Sequence, residues 1–347
     1  MQISKLKGKK ILVTGGAGFI GSHIAEKLVE IGSEVVILDN FLTGKMSNLS
    51  SIKDDVEIIK GHIENYHDVE RTIQGCDIVI HEAFPYGKSG MGLEEQYVEE
   101  GVIGTFNVLK AAVKNKAEKV VYASTVAVYG IPKYLPIDEN HPISPFLPYG
   151  ATKYVGELYC RTFSKLYDID TVSLRYFYVY GPRYAQFDHS AMVNFLNRVL
   201  ENKPLIIYGD GSQIRDYTYI DDAVEGTLLA TIKEDTRGEV YNISSGEGIT
   251  ILELAQKIID VTNANVEIKI AETTEYRYSD QYCKIPVGLT TKVGNKWIDE
   301  RNYIGDISKA REELGYKPRV ALEDGIKRTF EWLKTVKGMK SWDGKLL

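Results

Sequence analysis

The chain has 347 residues, of which 44% are hydrophobic, enough to bury a large core and to form two lobes. Its net charge is −6 and no basic stripe runs along it. We therefore expect no nucleic-acid partner, because neutralising phosphates requires clustered Lys and Arg. Three cysteines, Cys76, Cys160 and Cys283, are too few and too scattered for a disulfide framework or a zinc site, and we expect no metal.

The N-terminal residues enter an apolar run within about ten positions, without the longer apolar segment of a signal peptide. No stretch approaches the ~18 consecutive apolar residues of a membrane span. Together with the low cysteine content, these features predict a cytoplasmic protein without a membrane partner.

The first predicted strand, residues 9–13, leads into a glycine-rich turn at residues 14–21 and then into an amphipathic helix. In this turn Gly15 permits a sharp change of direction, and Gly18 lets backbone N–H groups approach a diphosphate. Gly21 allows the helix to pack closely on the strand. The glycines lie three residues apart, which differs from the G-x-G-x-x-G spacing.

The second predicted strand, residues 34–38, is followed at once by Asp39. An acid at this point suits the two hydroxyls of a ribose, whereas it would repel a 2′-phosphate. The sequence therefore favours NAD over NADP. The alternative is an aspartate that only caps a turn.

Strand-like runs recur along the first half of the chain, with helical patterns between most of them: residues 10–13, 34–38, 56–59, 77–81, 119–123 and 171–177. This alternation predicts an α/β fold built on a doubly wound parallel sheet of the Rossmann type. Residues 219–243 are expected to return to that sheet through a helix and a strand.

We assign residues 1–178 and 219–246 to an NAD-binding domain. Residues 179–218 and 247–347 then form a smaller, mixed α/β substrate lobe. Within that lobe, residues 273–303 show little periodicity and contain Pro and Gly, so we expect either a long loop near the substrate or a surface insertion.

Tyr149 and Lys153 are four residues apart in a predicted helix that begins at Pro148. At that spacing both side chains share one helix face and serve one site. A phenol has a pKa near 10, and lowering it to about 7 takes ~4 kcal/mol of differential stabilisation, to which a neighbouring ammonium contributes. The pattern alone is common on ordinary helices.

Ser124 and Thr125 end the predicted strand at residues 119–123, and the carboxyl ends of parallel strands are where ligands bind in open sheets. We expect one hydroxyl here to donate a hydrogen bond to a substrate oxygen while Tyr149 transfers the proton of that oxygen. The alternative is that these hydroxyls cap a helix.

Segments that match the sequence pattern of one known family run through most of the chain. Besides the glycine turn they are residues 39–44, 104–109, 124–130, 149–153, 174–177, 179–183, 208–211, 215–217, 219–222 and 306–310. In these segments the chain resembles the extended short-chain dehydrogenase/reductase family, in its nucleotide-sugar epimerase and dehydratase branch. The resemblance implies a Rossmann-type fold, NAD as cofactor and a nucleotide-diphosphate sugar as substrate.

The resemblance also implies roles for individual residues. Tyr149 is the acid/base, Lys153 binds the nicotinamide ribose and tunes Tyr149, and Thr125 contacts the sugar hydroxyl. These three are the expected catalytic residues. The expected cofactor-binding residues are Gly15, Gly18, Phe19, Ile20, Gly21, Asp39, Asn40, Thr43, Gly44, His62, Ile63, Ala83, Ser124, Tyr149, Lys153 and Tyr176. The expected substrate-binding residues are Thr125, Tyr149, Tyr178, Tyr208, Arg215, Arg301 and Tyr303.

Arg215 resembles the arginine that binds the nucleotide diphosphate, and a bidentate guanidinium suits phosphate oxygens. Its alternative is a local surface ion pair with Asp216. A second diphosphate-binding arginine has no clear counterpart, and the candidates are Arg277, Lys296 and Arg301. Tyr303 resembles a position at which a bulky residue disfavours N-acetylated sugars.

The chain departs from the family pattern at several positions. Val126 and Ala127 replace the acidic residues that dehydratases and decarboxylases carry after the catalytic hydroxyl, and neither transfers a proton. His62 stands where Asp is usual, Gly101 and Tyr178 stand where Asn is usual, and the segment His-Glu-Ala-Phe-Pro at residues 81–85 adds bulk beside the cofactor. The sugar pocket is therefore expected to be reshaped.

These features predict an NAD-dependent nucleotide-sugar 4-epimerase of the UDP-glucose/UDP-galactose type, which acts through a transient 4-keto sugar. One alternative is a nucleotide-sugar 4-dehydrogenase or 4-ketoreductase, and another is a non-catalytic NAD-binding sensor or scaffold. The helical segments at residues 94–115 and 149–167 resemble those that form a four-helix dimer interface in the family, so we expect a homodimer, although similar faces also cover a sheet.

Overall fold

A computed structural model describes residues 2–85, 94–184, 190–271, 290–293, 296–299 and 301–343. The strands are β1 (Lys10–Thr14), β2 (Glu34–Asp39), β3 (Val56–Lys60), β4 (Ile78–His81), β5 (Lys119–Thr125), β6 (Asp170–Tyr176), β7 (Val179–Tyr180), β8 (Leu205–Tyr208), β9 (Ile214–Arg215), β10 (Thr218–Tyr219), β11 (Glu239–Ile243), β12 (Ile249–Thr250), β13 (Ile268–Ala271), β14 (Thr290–Val293) and β15 (Lys296–Asp299). The α-helices are α1 (Phe19–Ile31), α2 (Tyr66–Thr72), α3 (Glu94–Gln96), α4 (Thr105–Lys114), α5 (Pro148–Leu166), α6 (Ala191–Leu200), α7 (Ile220–Ile232), α8 (Ile251–Thr262) and α9 (Leu322–Asp343).

The centre of the molecule is a seven-stranded sheet in the order β11-β6-β5-β4-β1-β2-β3, in which every neighbouring pair is parallel. The predicted Rossmann-type α/β class is confirmed, and the six predicted strands agree with the observed ones to within about two residues. The predicted return of residues 219–243 is also confirmed, because α7 leads into β11, which pairs with β6.

Side chains alternate across this sheet and build a core on each face. In β1, Ile11 and Val13 belong to the cluster that includes residues of α1 and α7, whereas Leu12 belongs to the cluster that includes residues of α4. A strand covered on both faces is apolar throughout, which is why these segments read as continuous hydrophobic runs. All seven residues of β5 are buried.

The carboxyl ends of β1, β4, β5 and β6 lie side by side because these strands are parallel neighbours. The segments that leave those ends are the glycine turn, residues 82–85, the Ser-Thr pair and residues 176–178. One edge of the sheet therefore collects most of the residues that the sequence singled out.

Small sheets and helices follow the main sheet in the later part of the chain. The pairs β7–β10 and β8–β13 are parallel, and β9–β12 and β14–β15 are antiparallel. Residues 273–303, expected to form a long loop or a surface insertion, contain the antiparallel strands β14 and β15, and the position of the segment relative to the substrate stays a prediction. Arg277 and Cys283 lie outside the described residues. The proposed lobe boundaries stay a prediction.

None of the helices in the described ranges has the length and hydrophobicity that crossing a bilayer requires. Within those same ranges, no group of three or more His, Cys, Asp or Glu side chains is arranged to hold a metal ion.

Candidate functional site

The turn after β1 is shaped to receive a ligand at the N-terminus of α1. Gly15 has φ +68°, and a Cβ placed on it would lie 2.7 Å from the backbone nitrogen of Ala83. A Cβ on Gly21 would overlap the carbonyl oxygen of Gly15. Gly18 is the N-cap of α1 and provides no side-chain cap, and the first turn contains no acid. The backbone N–H groups of the first turn of α1 thus fit an anionic diphosphate.

Asp39 is buried at the end of β2 and holds the glycine turn in place. Its carboxylate accepts hydrogen bonds from the backbone N–H of Ala17 at 2.9 Å and of Phe41 at 2.8 Å. Burial raises the pKa of this carboxyl, and the two backbone donors oppose that rise. Asp39 therefore does cap the turn, which was the alternative named in the sequence analysis. Its contact with a ribose stays a prediction.

Three further expected cofactor-binding residues, Asn40, Thr43 and Gly44, follow Asp39 in the chain. A Cβ on Gly44 would lie 2.8 Å from Asp39 Oδ1, and Thr43 is half-buried beside it. The Asn40 side chain accepts a hydrogen bond from Leu42 N–H at 2.9 Å. Gly44 thus lies directly against the Asp39 carboxylate, and the roles of Asn40, Thr43 and Gly44 in cofactor binding stay predictions.

His62 and Ile63 follow β3 on the neighbouring side of the same edge. His62 is exposed, with Nδ1 2.9 Å from Glu64 Oε1, whereas Ile63 is buried against Gly104. Glu100, which the sequence analysis missed, is buried nearby, and burial raises its pKa to about 7. No pattern in the sequence distinguishes it from the exposed Glu99 beside it.

Tyr149 and Lys153 occupy successive turns of α5, as predicted. Tyr149 is partly exposed in the first turn, and Lys153 is buried, with Nζ donating to the carbonyl of Ala123 at 2.7 Å. Burial lowers the pKa of Lys153 to about 8, while the carboxylate of Glu82 opposes that fall. The pair thus combines an accessible phenol with an ammonium close to its titration range.

The two hydroxyls that end β5 have different partners. Thr125 Oγ1 accepts a hydrogen bond from Ala127 N–H at 3.2 Å and so caps the 3-10 helix Val126–Tyr129. The buried hydroxyl of Ser124 donates to Glu157 Oε1 at 2.5 Å. The capping alternative therefore applies to Thr125, and the expected contact of Ser124 with a cofactor stays a prediction.

Glu157 belongs to a buried network behind the site that the sequence analysis did not find. Arg175 donates to Glu157 through Nε at 2.9 Å and Nη2 at 2.7 Å, and through Nη1 to the Tyr129 hydroxyl at 2.8 Å. The Tyr129 hydroxyl donates to Asn242 at 2.6 Å. The network ties α5, β5, β6 and β11 together directly behind Thr125 and Lys153. The charged Arg175 inside the apolar run of β6 could have indicated such a network from the sequence, because a buried charge needs a partner.

Glu82, immediately after β4, is another residue that the sequence analysis did not assign. The hydroxyl of Tyr176 donates to Glu82 Oε1 at 3.0 Å and lies 2.7 Å from Thr227 Oγ1. Burial in the cleft raises the pKa of Glu82 to about 7, and the charge of Lys153 opposes that rise. Its position at a strand end beside the predicted site could have identified it from the sequence.

His81 orders the backbone beneath this edge. Its Nδ1 lies 2.7 Å from Thr14 Oγ1, which itself accepts a hydrogen bond from Ala83 N–H at 3.2 Å, and its Nε2 lies 3.1 Å from Thr105 Oγ1. Because the Thr105 hydroxyl donates to the Gly101 carbonyl, Nε2 carries the proton and Nδ1 accepts from Thr14. Burial lowers the pKa of His81 to about 3, so the ring is neutral.

Arg215 lies in an aromatic pocket formed by residues expected to bind the substrate. Its guanidinium is 5.4 Å from the ring centroid of Tyr178 and 5.6 Å from that of Tyr303. One nitrogen donates to the carbonyls of Ile214 and Arg301. The Tyr303 hydroxyl donates to Gly130 O at 2.8 Å. The structure thus brings these four expected residues together.

The alternative of a surface ion pair between Arg215 and Asp216 does not hold, because Asp216 is fully buried. There its carboxylate accepts hydrogen bonds from the backbone N–H groups of Ser245, Gly246 and Gly305. Asp216 therefore fastens the loop after β11 to the core and does not face solvent.

The remaining candidates for substrate binding differ in what the structure records. Tyr208 is exposed at the end of β8. Lys296 lies at the start of β15, and its side chain lies outside the described part of the structure. A role of either residue in substrate binding stays a prediction.

The fold and the glycine cradle together define a Rossmann-type dinucleotide-binding protein of the short-chain dehydrogenase/reductase kind. The family described as "NAD dependent epimerase/dehydratase family" matches residues 11–244, and the chain belongs to that family.

Three relatives span nearly the whole chain. A protein of Methanocaldococcus jannaschii, provisionally named a UDP-glucose 4-epimerase, is 38% identical over 93% of this chain and 98% of its own. The UDP-N-acetyl-alpha-D-glucosaminuronate decarboxylase of Bacillus cytotoxicus is 33% identical over 94% of this chain and 98% of its own. The solved structure of UDP-glucuronic acid 4-epimerase from Bacillus cereus, in complex with UDP-glucuronic acid and NAD, is 33% identical and superimposes with a TM-score of 0.79, covering 94% of this chain and 99% of that one.

Proposed function

We propose that the protein is an NAD-dependent nucleotide-sugar 4-epimerase. The observation that carries the proposal is the placement of Tyr149 and Lys153 on successive turns of α5, beside the carboxyl edge that also holds the glycine cradle. The Bacillus cereus neighbour is in complex with UDP-glucuronic acid and NAD, which supports a sugar nucleotide and NAD as the two ligands here.

The residues of the cradle fit NAD. The first turn of α1, with Gly15 and Gly18 before it, would hold the diphosphate, and Asp39 the adenosine ribose. Lys153 would bind the nicotinamide ribose. When bound, NAD accepts a hydride from the sugar and returns it.

Tyr149 performs the proton transfer in this proposal. As a phenolate it removes the proton of the sugar 4-hydroxyl while C4 is oxidised, and it returns the proton when C4 is reduced. The positive charge of Lys153 favours the phenolate, because an adjacent opposite charge lowers a pKa. The Thr125 hydroxyl, whose oxygen already accepts from Ala127, keeps its proton available for a sugar oxygen.

Epimerisation requires that the 4-keto sugar rotate within the site while the nucleotide stays bound. Arg215, whose guanidinium lies beside the rings of Tyr178 and Tyr303, would bind the diphosphate and so anchor the nucleotide. The sugar then presents its other face and receives the hydride there, so the overall reaction involves no net oxidation or reduction. Val126 and Ala127 supply no acid for an elimination step.

We propose UDP-glucose and UDP-galactose as the substrate pair. The Methanocaldococcus jannaschii relative supports this choice, and the buried Tyr303 leaves less room for an N-acetyl group. Turnover of UDP-glucose, UDP-galactose, UDP-N-acetylgalactosamine and UDP-glucuronic acid, followed by NMR, tests the assignment. Equal rates with UDP-galactose and UDP-N-acetylgalactosamine would remove the argument from Tyr303.

The experiment for the function itself is Tyr149→Phe, which should abolish epimerisation and preserve NAD binding. The matched control is Tyr154→Phe on the same helix, which should retain activity because the partly buried ring keeps its packing against the cluster around Val128. Interconversion of two sugar nucleotides without added NADH or oxidant distinguishes an epimerase from a 4-dehydrogenase or 4-ketoreductase. NAD binding without turnover of any sugar nucleotide would instead favour a sensor or scaffold.

We propose a homodimer formed through α4, α5 and the π-helical segment Tyr97–Gly104. Apolar side chains on these helices face solvent, namely Val98, Ile103, Phe106 and Leu158. Light scattering should give twice the chain mass, and Ile103→Glu should give a monomer. The control Ile131→Glu, at an exposed apolar residue of a loop, should leave the mass unchanged. A monomeric wild type would end the proposal.

We also propose that the enzyme works in the cytoplasm. Cys76 and Cys160 are buried free thiols, which suits a reducing compartment. Fractionation of the native cells with an antibody against the chain tests this assignment.

A further inference from the structure

Phe84 packs against both residues of the proposed acid–base pair. Lys153 Nζ is 4.2 Å from the centroid of its ring, on the ring face. The ring of Tyr149 meets it at 80°, with centroids 5.3 Å apart, and the ring of Tyr97 stacks on it at 26° and 5.4 Å. Phe84 thus contacts both members of the pair and is itself fixed from a third side.

The space that Phe84 occupies exists because residue 101 is glycine. A Cβ on Gly101 would lie 2.7 Å from Cε2 of Phe84 and would overlap the methyl group of Thr152. Gly101 lies in the π-helical segment Tyr97–Gly104, a rare geometry that often accompanies functional sites. The two departures that the sequence analysis noted at residues 84 and 101 are therefore parts of one packing arrangement.

An aromatic face beside an ammonium stabilises the charged form, through the negative potential above the ring. Lys153 is buried, and burial alone lowers its pKa. The other groups that act on it are the carboxylate of Glu82, the neutral ring of His81 and the ring of Tyr122, whose centroid is 5.1 Å from Nζ. The carboxylate of Glu82 and the ring faces of Phe84 and Tyr122 favour the charged ammonium form of Lys153.

We propose that Phe84 is a positioning residue of the acid–base site: it holds the Lys153 ammonium against its face and the Tyr149 ring in a T-shaped contact, and Gly101 is required to admit it. The effect on turnover rests on the proposed epimerase function. The effect on Lys153 itself does not, and so the two are tested by different measurements.

The first measurement is the titration of Lys153 in the purified full-length chain, with lysine labelled at ¹³Cε and the signal assigned by its loss in Lys153→Met. Phe84→Leu should lower the Lys153 pKa by about 0.5–1 unit, because it removes the aromatic face, and Phe84→Tyr should restore the wild-type value. The control is Tyr66→Leu, which removes the ring beneath Lys110 at 4.4 Å and should leave Lys153 unchanged. An unaltered Lys153 pKa in Phe84→Leu would overturn the proposal.

The second measurement is kinetic. Phe84→Leu should lower kcat by about tenfold, leave KM for the sugar nucleotide within about twofold, and move the alkaline limb of the pH profile to lower pH. A KM effect with an unchanged pH profile would show that the ring shapes only the substrate pocket and would refute a positioning role. If wild type turns over no sugar nucleotide while the Lys153 titration responds as expected, the proposed function fails and the placement of Lys153 by Phe84 stands.

The third measurement tests the link to Gly101 by thermal unfolding. Gly101→Ala should lower the melting temperature strongly in wild type and clearly less in the Phe84→Ala background, where one of its two overlaps is gone. Additive losses would show that the two positions are independent and would refute the requirement for glycine.

Discussion

The buried ion pair of Glu157 and Arg175 offers the sharpest test of how this site is supported. Glu157→Gln keeps the shape of the side chain and removes its charge. Arg175 is 2% exposed and Glu157 is 1% exposed, so water cannot replace the lost partner. The variant therefore leaves an unpaired guanidinium in the core.

The geometry sets the size of the effect. Three hydrogen bonds to Glu157 are at stake: two from Arg175, at 2.9 and 2.7 Å, and one from Ser124 at 2.5 Å. An amide offers one acceptor oxygen and one N–H₂ group, so one nitrogen of Arg175 would face another donor. Breaking a buried pair in this way costs about 3–5 kcal/mol of unfolding free energy.

Urea denaturation at fixed protein and NAD concentrations measures this loss. The matched control is Glu30→Gln, whose partner Lys27 is about half exposed, and which should cost less than about 1 kcal/mol. The double variant Glu157→Leu/Arg175→Met should be less destabilised than Glu157→Gln, because it leaves no buried charge. A loss in Glu157→Gln no larger than that of the control would refute the reasoning.

Three further predictions concern the cofactor, the cleft and the substrate. Gly21→Ala should weaken NAD binding at least tenfold by calorimetry, because its Cβ overlaps the Gly15 carbonyl and displaces the turn. Glu82→Gln should flatten the pH dependence of the unfolding free energy. In wild type the pKa of Glu82 is about 7 in the folded protein and 4.5 in the unfolded chain, so between these values the folded protein retains a proton that the unfolded chain has lost. The wild-type unfolding free energy therefore falls as pH rises from about 4.5 to 7. A slope equal to that of wild type would exclude this role. Arg215→Lys should raise KM for the sugar nucleotide about tenfold and leave NAD affinity unchanged, because lysine cannot form the bidentate contact; an equal loss of both affinities would contradict it.

Local patterns were sufficient to predict the main sheet. Each strand carries its own signal, an apolar run bounded by polar residues, and β5 is apolar along most of its length because it is covered on both faces. The glycine turn was equally readable, since Gly15 adopts a positive φ, which glycine tolerates without the steric cost that other residues incur. The hairpin at β14 and β15 was missed because its segment lacks a clear alternation.

Side-chain partners were harder to predict because they depend on tertiary contacts. Ser124 and Glu157 are 33 residues apart, and Arg175 is a further 18 away. The pairing of β5 with β6 sets Ser124 opposite Arg175, and the packing of α5 on both strands brings Glu157 to them. For the same reason, the sequence located the hydroxyl of Ser124 at the correct edge without revealing that it donates into the core.

Glu82 bears on the choice between epimerisation and elimination. Val126 and Ala127 cannot transfer a proton, which disfavours elimination, but Glu82 is an acid in the same cleft. Glu82 follows β4, however, whereas Val126 and Ala127 follow β5, so Glu82 does not occupy the position of the missing acids. Its Oε1 accepts a hydrogen bond from the Tyr176 hydroxyl on β6. A carboxyl that interacts with Lys153 acts on the protonation of the proposed acid–base pair. That role suits a reaction whose only proton moves through Tyr149, and so the presence of Glu82 remains consistent with epimerisation.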